Sequence, residues 1–190
     1  MIYQLKIILD YSKPPIWRRV LIPADFNLVQ LHQVIQISMG WENCHLHEFT
    51  IKGKRYAQKF DKEFEMYLQE VLDASKFKIK DLVKEKNIFS YCYDFGDNWD
   101  HKIIVEKAIE DSEFTVPFCI KTVGACPPED CGGIQGFYYN LEVLANKKHP
   151  EYQELKEWMD EMCYKEEVDI AAINQELQMF FNKPKAKKEA

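Results

Sequence analysis

The chain has 190 residues, of which 46% are hydrophobic and 29% are charged, and this composition is ordinary for a globular protein. Its formal net charge of −6 predicts no general attraction to nucleic acid or to acidic membranes. There is no apolar run of the roughly 18 residues that a membrane span needs and no signal-peptide pattern at the start, so we expect a cytoplasmic protein. Its six cysteines are then more typical of buried thiols or metal ligands than of disulfides.

The first 40 residues predict a hairpin followed by a helix. Residues 2–9 alternate between apolar and polar side chains, and residues 16–22 form the returning strand. Arg18 and Arg19 must point to opposite faces of that strand, so at most one is solvated, and the other is a candidate to pair with a carboxylate. Asn27 begins a helix with a capping box, Gly40 ends it, and His32 is expected on the helix surface or in a capping role.

The next segment predicts a third strand over residues 44–51, in which the two-residue period puts His45 and His47 on one face. Residues 57–75 are strongly acidic and are interpreted as a surface excursion with some helix over 65–72. A short helix is expected over residues 78–86. The role of the acidic excursion does not follow from the sequence.

A central hairpin is predicted around the stretch YCYDFGDNWDH, residues 91–101. A three-residue loop over residues 96–98 keeps the apolar faces of both strands on the same side, because a one-residue slip would turn one of them outward. That loop pairs Phe95 with Trp99 and Tyr93 with His101.

The same register sets Asp94 opposite Asp100, with Asp97 at the turn. Like charges directly opposite each other destabilise a sheet, so solvent, an arginine such as Arg18 or Arg19, or a metal ion should compensate them. These three carboxylates are therefore candidate ligand-binding residues.

The loop GACPPEDCGGIQG, residues 124–136, is the second candidate site. Cys126 and Cys131 have a spacing found in zinc ligand pairs, and two of His45, His47 and His101 could complete a tetrahedral zinc site. Alternatively, Glu129 and Asp130 could join the histidines and Asp97 around Mg²⁺ or Mn²⁺, which prefer oxygen ligands. The third possibility is a rigid loop that packs over the sheet without any metal. No phosphate-binding glycine loop and no nucleophile-elbow serine are present.

Helical patterns follow to the end, over residues 137–146, from Pro150, and from Asp169. Strands first and helices last predict an α+β fold, an antiparallel sheet of hairpins covered by helices with a C-terminal helical segment. We expect one domain over residues 1–182, with the sheet part at about 1–124, the cysteine loop at 124–136 and helices at 137–182. Residues 183–190 are expected to form a disordered basic tail.

The chain resembles the plasmid pRiA4b ORF-3-like family over nearly its whole length. The resemblance is carried by PPIWRRV, LHQVIQISMGW, HLHEF, YCYDFGDNWDHKI and ACPPEDCGGIQGFY, and it ends with HPEY and VDIAAINQEL. It implies an α+β domain associated with plasmids and transposable elements, where members occur as passenger proteins that are sometimes labelled resolvase-like. It implies no established activity, and the activated serine among arginines that serine recombinases need is not visible here. The acidic excursion and the lysine-rich tail depart from the family pattern.

Two functions compete on this evidence. The first is a non-enzymatic domain that binds a small ligand or a protein partner through the aromatic-histidine face and the cysteine loop. The second is a metal-dependent hydrolase or nuclease of mobile-element DNA, with His45, His47, Asp97 and His101 at its centre. The first predicts no metal, and the second predicts stoichiometric metal. Nucleic-acid binding by a non-enzymatic domain is disfavoured by the acidic balance.

Overall fold

The computed structural model describes residues 1–58, 70–111 and 113–182. In these ranges the strands are β1 (Ile2–Leu9), β2 (Ile16–Pro23), β3 (His47–Ile51), β4 (Lys54–Ala57), β5 (Val71–Asp73), β6 (Ile88–Tyr93), β7 (Trp99–Ile109) and β8 (Phe118–Val123). The α-helices of the same ranges are α1 (Leu28–Met39), α2 (Ile79–Leu82), α3 (Gly133–Ala145), α4 (Tyr152–Glu161) and α5 (Ile170–Phe181).

The strands form one sheet in the order β5-β4-β3-β6-β7-β1-β2-β8. Neighbouring strands are antiparallel, except for the parallel pair β4 and β5. Three hairpins, β1–β2, β3–β4 and β6–β7, supply most of the sheet. The predicted α+β class is confirmed. None of the helices in the described ranges is both long and apolar enough to cross a membrane.

The core lies between one face of the sheet and the helices. Alternate residues of β1 are buried, as the strand period requires, and they meet the buried stripe of α1. The helix α5 packs on both α1 and the edge strand β8. The predicted cap of α1 is confirmed, because the Asn27 side chain accepts from Gln30 N at 2.9 Å and Gln30 Oε1 accepts from Asn27 N at 3.0 Å. Gly40 ends the helix with φ 92°.

In the central hairpin, the aromatic side chains of both strands lie on the same face, as predicted, but the cross-strand residue pairs differ from the predicted ones. Odd-numbered residues pair with odd-numbered residues, but Tyr93 faces Trp99 and Tyr91 faces His101, which is a shift of two positions. The loop therefore spans residues 94–98, and Phe95 is exposed. The reason is Asp94, which adopts φ 55° and accepts a hydrogen bond from Gly96 N at 2.8 Å, so the strand ends one residue before it.

The predicted opposition of Asp94 and Asp100 is consequently wrong, since Cys92 faces Asp100. The arginine partners proposed for these carboxylates are wrong as well. Arg19 donates to Glu106 at 2.6 and 2.8 Å on the outer face. Arg18 lies on the inner face and donates to backbone carbonyls.

Several element boundaries also differ from the prediction. The short helix expected over residues 78–86 spans only Ile79–Leu82. β3 begins at His47, so His45 precedes the strand. Val71–Asp73 is a strand, although helix was expected over residues 65–72, and residues 65–69 of that expected helix lie outside the described residues. α3 begins at Gly133, inside the predicted cysteine loop, because Gly132 and Gly133 take φ values of 83° and 68° that start the helix tightly. The predicted basic tail, residues 183–190, also lies outside the described residues.

Candidate functional site

The cysteine loop docks on the chain just before β3 and on the β6–β7 loop. Trp41 Nε1 donates to Pro127 O at 3.0 Å, and Gly132 N donates to Asp97 Oδ2 at 3.1 Å. Gly133 lies so close to the hairpin that a Cβ there would be 2.5 Å from Asp97 O. The loop is therefore fixed at both ends, and its acidic residues between those ends are held beside β3 and β6.

Tyr93 and Glu129 form the buried base of the site. The Tyr93 hydroxyl donates to Glu129 Oε1 and accepts from Cys44 N at 3.0 Å and His45 N at 3.3 Å. Glu129 Oε2 accepts from Glu42 N at 2.9 Å. Burial, together with the hydrogen bond to Glu129, raises the pKa of Tyr93 far above its ordinary value, so its hydroxyl remains protonated.

Three side chains from three different segments converge above this base. His45 Nε2 lies 3.3 Å from Asp130 Oδ1 and 3.9 Å from Asp94 Oδ2. The Nε2 atom is buried and has no hydrogen-bond partner among the described residues. Two ligands bound tetrahedrally to one Zn²⁺ ion are about 3.4 Å apart, since zinc bonds to nitrogen and oxygen are near 2.1 Å. The separation of 3.3 Å between His45 Nε2 and Asp130 Oδ1 is close to that value, whereas the 3.9 Å to Asp94 Oδ2 is longer.

A second group shares the same histidine. One ligand atom each from Cys44, His45 and Glu129 lies within 4.8 Å of the others, and so does one each from His45, Asp94 and Asp130. Cys44 Sγ contacts Glu129 Oε1 at 3.5 Å. Burial and the neighbouring Glu129 raise the pKa of the Cys44 thiol, which therefore stays protonated at neutral pH unless a metal ion displaces the proton.

A pocket of about 780 Å³ opens directly beside His45 and Asp94. Side-chain amides and apolar groups line most of its wall: Val29, Gln30, Gln33, Asn43, Leu46, Gln58, Phe95 and Phe180. The amides can donate and accept hydrogen bonds, and the aromatic rings can cover an apolar body. The volume is in the range of pockets that hold small molecules.

Behind the pocket, a polar network reaches into the core. Asn43 accepts a hydrogen bond from His32 Nε2 at 2.5 Å, and the other ring nitrogen of His32 lies 2.8 Å from the Tyr91 hydroxyl. Because the Asn43 oxygen can only accept, His32 Nε2 carries a proton. Burial lowers the pKa of His32 to about 4, so the ring is neutral at pH 7 and Nδ1 is unprotonated. The His32 ring stacks on the ring of His47 with centroids 3.4 Å apart.

A sequence model of the plasmid pRiA4b ORF-3-like proteins matches residues 1–174 of the chain. The chain belongs to this family. Two relatives support the assignment. A protein from Sinorhizobium fredii (strain NBRC 101917 / NGR234), named uncharacterized protein y4hQ, is 34% identical over 175 residues, which are 91% of this chain and 86% of that protein. The second relative is the protein of unknown function MM3350 from Methanosarcina mazei Go1, whose crystal structure is known. Its sequence is 32% identical to this chain, and the two structures match with a TM-score of 0.79 over 90% of this chain and 96% of that one.

The structure brings some of the predicted site residues of this pRiA4b ORF-3-like protein together and separates others. His45, Asp94 and Asp130 converge, and Glu129 lies next to them. Asp97 binds Gly132 N instead, and Asp100 lies beside Cys92 on the strand pair.

The remaining metal candidates lie apart from this group. Among the described residues, none of His47, His101, Cys126 and Cys131 belongs to a set of three ligand atoms close enough to share an ion. His47 and His101 are buried in the core, and burial lowers the pKa of His47 to about 3 and that of His101 to about 4. Burial also raises the pKa of the Cys126 and Cys131 thiols to about 12.

Sequence reasoning missed Cys44, Tyr93 and His32. Tyr93 was placed on the apolar face, and its hydroxyl function could not be inferred without the loop that docks on it. Cys44 had a signal, since it adjoins His45. The expectation that His32 lies on the helix surface or in a capping role is wrong, since it is fully buried. A signal was present, because it lies four residues after Leu28 and three before Ile35, on the same helical stripe.

Proposed function

We propose that this protein is a non-enzymatic binding domain that holds a divalent metal ion with His45, Asp94 and Asp130 and uses it to bind a small ligand in the adjoining pocket. The observation that carries the proposal is the buried Nε2 atom of His45. It has no hydrogen bond among the described residues, although two carboxylates lie at 3.3 and 3.9 Å. An imidazole nitrogen beside two carboxylates is a frequent arrangement for Zn²⁺ and Mn²⁺.

The pocket supports the ligand part of this proposal. Three protein ligands leave at least one coordination position of a tetrahedral ion open. Since His45 and Asp94 line the pocket, the open position would face it. Gln30, Gln33 and Gln58 would hydrogen-bond the polar atoms of a ligand that has one metal-binding donor.

The test is a zinc titration of protein purified without a metal-binding tag, followed by calorimetry. We expect one ion per chain. His45→Gln and Asp130→Asn should each weaken the affinity at least tenfold, because each removes a donor without disturbing the core. Asp130 is a suitable site, since its side chain is 65% exposed. His149→Gln, which changes a half-exposed histidine distant in sequence, is the matched control.

Cys44→Ser decides between the two overlapping groups. Unchanged affinity places the ion with Asp94 and Asp130, whereas a large loss places it with Cys44 and Glu129. Equal binding by the parent chain and His45→Gln, or no saturable binding of Zn²⁺ or Mn²⁺, would show that the proposal is wrong.

A metal-dependent hydrolase or nuclease of mobile-element DNA is the second candidate, favoured by the same open coordination position. In this structure it would rely on His45 and Asp94 rather than on His47, Asp97 and His101. The metal-loaded protein should then cleave DNA and lose that activity in His45→Gln. Stoichiometric metal without cleavage supports the binding function proposed above, which includes a metal ion, unlike the metal-free binding domain expected from the sequence.

A further inference from the structure

A second polar site lies on the opposite side of the cysteine loop, at Arg18. This arginine lies between Ile16 and Val20 on the inner face of β2, and its side chain is only 1% exposed. Its Nε donates to Ser38 O at 2.7 Å. Its Nη1 lies within hydrogen-bonding distance of three carbonyl oxygens, those of Trp17, Val123 and Gly124, at 3.1, 3.2 and 2.9 Å.

Within the described residues, no carboxylate pairs with the charge of Arg18. None of the ion pairs found between described residues includes it. The thiols of Cys126 and Cys119 act on it, but burial raises the pKa of both, so they are neutral at pH 7. His101 also senses Arg18, and burial lowers its pKa to about 4, so it is neutral as well. A buried charge without a counter-charge is expensive, and proteins normally pair it.

Two hydrogen-bonding groups at this place are unused. Arg18 Nη2 makes no hydrogen bond to any described residue, whereas Nε and Nη1 of the same group do. The Ser38 hydroxyl is fully buried and likewise has no partner there. Both residues line a cleft of about 230 Å³ between the cysteine loop and the segment that leads into α5.

The walls of the cleft are largely apolar, with Pro127, Pro128, Val168 and Ile173 among them. Besides Arg18, its charged residues are Lys165, Glu167 and Asp169. All three are exposed at the surface, and the Asp169 carboxylate is occupied by the N–H groups of Ala171 and Ala172 at the start of α5. The buried floor therefore carries the positive charge of Arg18, whereas the exposed rim carries one lysine and two carboxylates.

We propose that this cleft binds a small oxyanion, the carboxylate or phosphate group of a small molecule, between Arg18 Nη2 and the Ser38 hydroxyl. Such a group supplies the missing counter-charge and accepts from both unused donors. The site is independent of the metal group at His45, since the two clefts share no lining residue.

The test measures the thermal midpoint of the full chain in sodium phosphate or sodium acetate, with sodium chloride keeping the ionic strength constant. A ligand that binds only the folded state raises the midpoint with increasing concentration. We expect this rise for at least one of the two anions, and the anion that gives the larger rise identifies the preferred group. Ser38→Ala breaks no hydrogen bond within the described protein and should weaken the anion affinity about tenfold, because it removes one bond to a charged ligand.

A matched pair of variants on α5 provides the decisive comparison. Ala172 lines the cleft and Ala171 does not, and both are exposed. Ala172→Trp should fill the cleft and abolish the anion-dependent rise, whereas Ala171→Trp should keep it. The proposal is overturned if neither anion raises the midpoint of the parent chain, or if Ala172→Trp responds as the parent does. In either case the role of Arg18 is limited to its hydrogen bonds with backbone carbonyls.

Discussion

The histidines buried in the core make the protein sensitive to acid. Burial lowers the pKa of His32 to about 4, that of His47 to about 3 and that of His101 to about 4, from an ordinary value of 6.5. Between pH 6.5 and pH 4 the unfolded chain therefore binds protons that the folded chain does not bind. The free energy of unfolding must then fall as the pH falls through this window, by roughly 1 kcal/mol per pH unit for each histidine. Above pH 6.5 these groups have no such effect.

We predict that His47→Leu reduces the loss of stability between pH 7 and pH 5 by about a third, because one of the three buried imidazoles is gone. Urea unfolding at both pH values measures this. His149→Gln, at a half-exposed histidine, is the control and should leave the pH dependence unchanged. An unchanged slope in His47→Leu would mean that His47 is not a neutral buried group.

Patterns at the scale of single residues predicted which side chains could belong to a site, but not which groups these side chains would contact. Inward-facing His47 and His101 follow from the two-residue strand period, and both are buried. The grouping of His45 with Asp130 does not follow from any periodicity, because a loop 85 positions along the chain supplies the carboxylate. Arg18 shows the same limit, since strand alternation required one arginine to point inward but could not show that carbonyls would bind it.

At the scale of elements, the contact between the start of α3 and the hairpin loop depends on a glycine. Gly133 has φ 68°, and a Cβ there would approach Asp97 O to 2.5 Å. We predict that Gly133→Ala lowers the free energy of unfolding by about 2–4 kcal/mol, since it adds a backbone collision to the cost of a left-handed alanine. The substitution should also weaken zinc binding, because the β6–β7 loop that Gly133 contacts carries Asp94.

Gly53→Ala is the control for backbone conformation. Gly53 has φ 74°, but a Cβ there would meet no atom of the described part of the chain within 4 Å. It should cost only about 1 kcal/mol in urea unfolding and leave zinc binding unchanged. Equal losses in the two variants would mean that the close approach of Asp97 to α3 has no energetic importance.

The hairpin also shows what sequence can determine at this scale. The parity of the pairing follows from the need to bury both aromatic faces on one side, and that prediction is confirmed. The absolute register does not follow, because shifts of two residues preserve the parity. Asp94 decides between them, since its left-handed backbone and its hydrogen bond to Gly96 end the strand, and an isolated Asp in a sequence does not indicate either feature.

At the scale of the whole molecule, the α+β class followed from the order of strand and helix patterns, but the strand order did not. β1 pairs with β7, which brings Leu9 opposite His101, and no local signal encodes a contact across that distance. The position of α5 likewise depends on the finished sheet. It covers β8, which lies at one edge of the sheet and would otherwise present unpaired backbone groups.

Asn174 of α5 makes that cover specific. Its Oδ1 accepts from Cys119 N at 2.7 Å, and its Nδ2 donates to Cys119 O at 2.9 Å, so a single buried amide replaces a neighbouring strand. We predict that Asn174→Ala lowers the free energy of unfolding by about 2–4 kcal/mol, because it leaves a buried N–H and a buried C=O without partners.

The exposed Gln175 on the same helix provides the control, and Gln175→Ala should change stability by less than about 0.5 kcal/mol. Urea unfolding measures both. Hydrogen exchange at the Cys119 amide should become faster only in Asn174→Ala, and continued protection there would show that β8 keeps its cover without this residue.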